Sequence, residues 1–128
     1  LDPAIPHSAA PTEELRARYD LQRLRREVSP QDIARGPANL WRYAPLLPVA
    51  RTQSAVSLGE GWTPLVPTPE LARKLGLARL AIKDEGRNPS GTFKDRGAAV
   101  AVSRYVELGV KTVAHNSSGN AGGSWSLY

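Results

Sequence analysis

Residues 88–96, Asn88-Pro89-Ser90-Gly91-Thr92-Phe93-Lys94-Asp95-Arg96, set a lysine where a turn runs into a helix. Pro89 stops a preceding strand and Gly91 permits a tight backbone. Thr92 with Asp95 three residues on has the spacing of a capping box, which predicts Lys94 in the first helical turn. A cation is disfavoured there by about 0.3–1 kcal/mol, because the helix macrodipole puts partial positive charge at that end. A residue that breaks a local rule is a candidate for function. The field at a helix N-terminus favours the neutral form of an amine, the form that attacks a carbonyl and holds it as a Schiff base. The plainer reading is a surface lysine facing water.

A second stretch, Asn116-Ser117-Ser118-Gly119-Asn120-Ala121-Gly122-Gly123, offers two hydroxyls, a glycine that permits close backbone approach and free amides at a helix start. That set suits a small anion such as a carboxylate, and Asn120 adds a neutral donor for an oxygen. The plainer reading here is an ordinary Ser/Asn cap. Gly119 and Gly122 do not form G-x-G-x-x-G, there is no G-x-x-x-x-G-K-[ST], and Gly122-Gly123-Ser124-Trp125-Ser126 lacks the final glycine of a nucleophile elbow.

The elements that must position these loops are legible in outline. Residues 1–12 read as a lead-in rich in Pro and Ala. Residues 13–33 read as an amphipathic helix, with Leu15, Tyr19, Leu21, Leu24 and Val28 at mixed three- and four-residue spacing, broken near Ser29-Pro30 and resumed from Gln31. Leu40-Trp41-Arg42-Tyr43 and Leu46-Leu47-Pro48-Val49 suggest a packed arm. In residues 56–65 a short strand is expected to end in a sharp turn before Thr63-Pro64. A helix follows from Pro69 to Leu75, stopped by Gly76, and then a strand from Arg79 to Glu85, with Leu80 and Ile82 on one face. The helix from Phe93 extends to about Leu108 and ends at Gly109, with Ala98, Ala101, Val102, Tyr105 and Val106 as its core stripe. Residues 111–115 read as a strand and 124–128 as the start of another helix. Strand, turn, helix, strand, turn, helix argues for an α/β fold, an open and mostly parallel sheet with helices on both faces. Ligands in such sheets sit beyond the carboxyl ends of the strands, where both loops fall.

Composition narrows the chemistry. The 128 residues contain no cysteine, which excludes disulfides, thiolate zinc sites and thiol nucleophiles, and His7 and His115 are too few and too far apart for a histidine-built metal site. The charge of +5 arises from 17 basic against 12 acidic residues. Residues 1–35 hold six of each sign, so the excess is dispersed downstream. It suits phosphorylated metabolites as well as nucleic acid. The chain begins with Leu1, lacks methionine and stops soon after an apolar segment opens, and so reads as a fragment open at both ends.

Lys83-Asp84-Glu85, residues 88–97 and residues 117–122 resemble the fold-type II pyridoxal-phosphate enzymes, of the tryptophan synthase β-like architecture. The N-P-[ST]-G-[ST]-F-K-D-R-G form, Gly59-Glu60-Gly61-Trp62-Thr63-Pro64-Leu65 and the residue 40–43 arm look most like the threonine synthase group. On that resemblance, residues 1–39 are a lead-in and helical segment, and residues 40–128 begin the catalytic region. Lys94 is implied as the residue that holds pyridoxal 5'-phosphate through its amine and shuttles protons. Asn120 is implied as donor to the phenolic oxygen of the cofactor, and Phe93 as support for one ring face. Ser117, Ser118, Gly119 and Ala121 are implied as the cradle of the substrate carboxylate. The implied substrate is a small amino acid, O-phosphohomoserine, converted with water to threonine and phosphate by a cytoplasmic enzyme, expected to be a homodimer, with no nucleic-acid or membrane partner. The cofactor-phosphate loop and the partner of the pyridine nitrogen are expected beyond Tyr128, so the fragment alone is expected to be inactive. Other fold-type II activities (threonine or serine dehydratase, cysteine synthase) and a noncatalytic α/β ligand-binding module remain as alternatives.

Overall fold

The computed structural model describes residues 17–128. The expected lead-in and the first residues of the helix expected from residue 13 lie outside the described residues. Helix α1, Leu21–Glu27, starts at Asp20, whose carboxylate accepts from the Arg23 amide at 2.8 Å. Helix α2, Pro30–Arg35, starts at Ser29 in a reciprocal capping box with Asp32 and carries Pro30 in its first turn. The break expected at Ser29-Pro30 is therefore present, and it is built from a cap and a proline that each favour a new start. Residues 40–46 form 3-10 turns kinked at Tyr43, with Leu40 and Arg42 buried.

Strand β1, Leu65–Pro67, and strand β2, Ala81–Lys83, pair antiparallel, with Leu65 opposite Lys83, Val66 opposite Ile82 and Pro67 opposite Ala81. The pairing is prolonged on both sides by Asp84 N donating to Pro64 O at 3.0 Å and Thr68 N donating to Leu80 O at 2.9 Å. Helix α3, Pro69–Lys74, bridges the two strands and ends at Gly76, whose φ of +66° suits a left-handed helix stop. Helix α4, Lys94–Glu107, ends the same way at Gly109, φ +71°. Helix α5, Asn120–Leu127, packs on α4.

The strand at residues 79–85 and the helices on either side of it are present in part as expected, but the alternation does not continue past α4, and three sequence-based expectations need correction. The strands of the described residues are antiparallel neighbours rather than parallel ones, because the short path through α3 returns the chain beside β1 in the opposite sense. The first strand follows the Gly59–Pro64 turn instead of preceding it. Residues 111–115 have no ladder partner among the described residues and form no strand, since an extended segment becomes one only by exchanging hydrogen bonds with a neighbour.

The buried stripe of α4 is also rotated from expectation. Asp95, Ala98, Ala99 and Ser103 are buried, whereas Val102 and Tyr105 are half-buried and Val106 is 51% exposed. Small side chains let Ser124 of α5 reach Asp95, and further along Tyr105 lies beside Trp125 of α5 with ring centres 6.1 Å apart. Among the described residues the buried apolar side chains are Leu40, Val49, Ala72, Ala98 and Ala99, while Arg42, Glu60, Thr63, Asn88, Asp95, Ser103 and Ser124 are buried as well. Hydrogen bonds to polar groups thus share with apolar packing the task of holding the loops in place. Among the described residues no helix is long and apolar enough to cross a membrane.

Candidate active site

Asn88 to Gly91 form the expected tight turn, closed by Gly91 N donating to Asn88 O at 2.8 Å, with Gly91 at φ +80°. Lys94 is the first residue of α4, as its spacing from Thr92 implies. The capping box itself is not formed. Thr92 Oγ1 accepts from the Lys94 amide at 3.2 Å, and Asp95 instead accepts from the Ser90 amide at 2.7 Å and from the hydroxyls of Ser90 and Ser124. A buried carboxylate gains more from three convergent donors than from one helix amide. Burial pushes the Asp95 carboxyl up, and Ser124 and Ser90 together outweigh it and hold the carboxyl below its usual value. Lys94 and Phe93 are both exposed, with the ammonium 4.9 Å from the Phe93 ring centre.

A second acidic residue knits together the three stretches singled out in the sequence. Glu85 takes a two-pronged ion pair from Arg96, with Nε and Nη2 each at 2.8 Å. It also accepts from Thr63 Oγ1 at 2.5 Å and from Asn88 Nδ2 at 3.0 Å. Asn88 Oδ1 accepts in turn from the Gly61 amide at 2.9 Å, and Lys83 Nζ donates to Thr63 O at 2.9 Å. The Arg96 guanidinium is the main cause of a Glu85 carboxyl held down at about 2, with Thr63 and Asn88 adding to it and burial opposing. Gly61 cannot be larger: its φ is +88°, and a Cβ would meet Leu40 N at 2.7 Å. This clamp fixes the turn before Lys94 from behind.

A third acid, Glu60, is fully enclosed and accepts from Trp41 Nε1 at 3.0 Å, Leu58 N at 2.9 Å, Ser57 Oγ at 3.1 Å and Tyr128 Oη at 2.9 Å. Burial pushes the Tyr128 phenol well above its ordinary value, and the Glu60 carboxylate adds to the shift.

In the second loop, α5 begins at Asn120, four residues earlier than the sequence suggests. Ser117 Oγ brings this about by accepting from Gly119 N at 3.1 Å and Gly122 N at 2.8 Å. Gly122 lies against it, since a Cβ there would stand 3.0 Å from the Ser117 Cβ. Helix geometry leaves the amides of Asn120 and Ala121 without an acceptor inside the helix. Ser117, Ser118 and Ala121 line one shallow groove with His115 and Asn116, and Gly119 is the residue that starts the helix. The structure therefore brings Ser117, Ser118, Gly119, Asn120 and Ala121 together. It links them to Lys94 and Phe93 through the Asp95–Ser124 bond, and records no direct contact between Lys94 and Asn120 among the described residues.

Glu85, Arg96, Asn88, Thr63, Asp95 and Ser124 are the residues that sequence reasoning passed over as parts of this site. Charged residues enclosed by Gly, Pro and small residues in consecutive turns were the available signal.

Residues 56–128 match the family described as pyridoxal-phosphate dependent enzyme. The chain belongs to that family. It is 42% identical over 110 residues to a threonine synthase of Methanocaldococcus jannaschii, covering 86% of this chain and 27% of that one. It is 47% identical over 90 residues to a threonine synthase of Methanosarcina acetivorans, covering 70% of this chain and 22% of the relative. A threonine synthase of Synechocystis is 41% identical over 103 residues, which is 79% of this chain and 27% of that protein. The chain thus spans about a quarter of the length of these relatives. No solved structure matches it.

Proposed function

We propose that these residues form part of a threonine synthase, in which Lys94 holds pyridoxal 5'-phosphate and the whole enzyme converts O-phosphohomoserine and water to threonine and phosphate. The observation that carries this reading is an exposed lysine amine at the first residue of α4, inside the segment that matches the cofactor-dependent family. The donor set fits the cofactor. An amine with no acidic partner among the described residues suits a covalent link to an aldehyde, an exposed phenylalanine ring stands beside it, and Asn120 carries a neutral donor for a phenolate oxygen.

When bound, the cofactor takes up the electron pair left at a carbon that loses its proton. The chain supplies the rest. The amides of Asn120 and Ala121 and the hydroxyls of Ser117 and Ser118 bind the substrate carboxylate at the start of α5. Asn120 orients the cofactor, Phe93 flanks one of its faces, and Lys94 carries protons to and from the substrate. Threonine formation requires proton removal at the α carbon and again at the β carbon, so the amine must reach both. Elimination from serine or threonine requires only the first. An open, mostly parallel sheet to which β1 and β2 contribute an antiparallel pair, and a homodimer in the cytoplasm, belong to the same reading.

Side-by-side steady-state assays of the whole protein on O-phosphohomoserine, threonine and O-acetylserine test it. The expected result is the highest kcat/KM on O-phosphohomoserine, with phosphate and threonine formed in equal amounts. A highest value on threonine would assign a dehydratase, and one on O-acetylserine a cysteine synthase.

Asn120→Ala is expected to leave the cofactor bound but to shift its visible absorption and lower kcat by about 10- to 100-fold, as loss of one hydrogen bond to a charged group costs roughly 1.5–3 kcal/mol. An unchanged spectrum and rate would remove Asn120 from the site.

A further inference from the structure

We propose that Asp95 is a positioning residue that sets the register between the two halves of the site. Its carboxylate, beside Lys94 on α4, holds α5 through Ser124 and so fixes where residues 117–120 stand relative to the lysine amine. This inference rests on the assignment of Lys94 and Asn120 above.

Asp95 is fully enclosed, and one of its three donors lies on the other helix. Asn120, Ser124 and Tyr128 recur every four residues and share one face of α5. That face is held at two successive turns by buried carboxylates, Ser124 by Asp95 and Tyr128 by Glu60. Of the two, Asp95 is the one adjacent to Lys94, so any slip of α5 along α4 is resisted next to the amine.

Beside Asp95 the buried positions of α4 are small, Ala98 and Ala99, and the aromatic contact between the helices, Tyr105 with Trp125 at 6.1 Å between ring centres, lies about three turns further along α4. Small residues next to the amine allow a close approach but leave the register at that end of the helix pair weakly determined. A charge-assisted hydrogen bond is short and directional, which suits it to specifying register better than to adding stability. Within the site, the carboxylate cradle of residues 117–121 is one continuous segment and does not depend on that register. Proton transfer by Lys94 does depend on it, because the amine comes from the other helix.

The test uses the full-length enzyme loaded with cofactor. Asp95→Asn keeps the side-chain shape but replaces one accepting oxygen with a donor. It is expected to lower kcat by about 100-fold, the effect of a displacement near 1 Å. The KM for O-phosphohomoserine should stay within about threefold, and the visible circular dichroism of the bound cofactor should change in amplitude or sign. Ser124→Ala should give the same pattern in weaker form, and the double variant should be no worse than Asp95→Asn, because both changes remove one bond. An unchanged kcat, a rise in KM matching the fall in kcat with unaltered dichroism, or independent losses that multiply in the double variant would each overturn the proposal. If Asp95→Asn does not fold, Ser124→Ala decides alone: a fall in kcat at constant KM supports the proposal and an unchanged kcat overturns it. Borohydride labelling of the unsubstituted enzyme at a lysine other than Lys94 overturns the Lys94 assignment and this inference with it.

Discussion

Lys94→Ala in the whole enzyme is expected to lower kcat by at least about 10³-fold, toward the upper end of what one positioned acid–base group contributes. Its folding stability should change by less than about 0.5 kcal/mol. The two halves of this expectation come from the same observation. Lys94 is exposed at the first residue of α4, and its ammonium has the Phe93 ring at 4.9 Å as its recorded neighbour. Among the described residues no buried partner is stranded by its removal, and alanine is the best helix former. A large loss of stability in this variant would mean that the lysine serves the fold rather than the chemistry. Thermal unfolding and single-turnover kinetics on the same preparation separate the two.

Arg96→Ala should have the opposite profile, destabilising the enzyme by about 3 kcal/mol, the lower end for breaking a buried ion pair because both side chains keep about a quarter of their exposure. It leaves the Glu85 carboxylate with Thr63 and Asn88 as its remaining partners, and loosens the junction of the Gly61, Asn88 and Lys83 segments at once. The pair also carries a pH signature. With the Glu85 carboxyl at about 2 in the folded chain against 4.5 as its ordinary value, folding releases a proton between those limits. Its stabilisation is therefore complete above about pH 5 and is lost as pH falls through 4.5 toward 2. After allowance for solvent, the loss should be about 2 kcal/mol. Unfolding followed from pH 6 to pH 2 should show this slope in the unsubstituted enzyme and a flatter one in Glu85→Gln. Equal slopes would show that the pair contributes nothing to acid stability.

What was legible in the sequence was what adjacent residues decide among themselves. Pro69 and Gly76 bracket α3, Gly109 ends α4, and Ser29-Pro30 breaks the first helical segment, because caps, prolines and left-handed glycines act within a few residues. The turn at Asn88–Gly91 and the position of Lys94 were legible for the same reason. Strand pairing was not, since the sense of β1 against β2 depends on where the chain returns, and residues 111–115 require a partner that their own sequence does not specify. The apolar spacing of α4 includes Ala98 but points the stripe on to Val106, which is exposed, whereas burial falls on Ala98, Ala99 and on Ser103, whose hydroxyl meets the Val56 segment, a partner 47 residues away. Asp95 was assigned to Thr92 by spacing, and the competing donor Ser124 lies 29 residues away, out of reach of any local rule. Glu85 and Arg96, 11 residues apart across a turn, escape for the same reason.

The reading stands or falls on one covalent link. The whole protein, loaded with pyridoxal phosphate and reduced with borohydride, should yield a single modified peptide after digestion, with the reduced cofactor on Lys94. Its visible absorption should disappear as the label appears, and Lys94→Ala should give no labelled peptide. A label on Lys83, Lys111 or any other lysine, or a cofactor that is released unreduced, would contradict the assignment of Lys94.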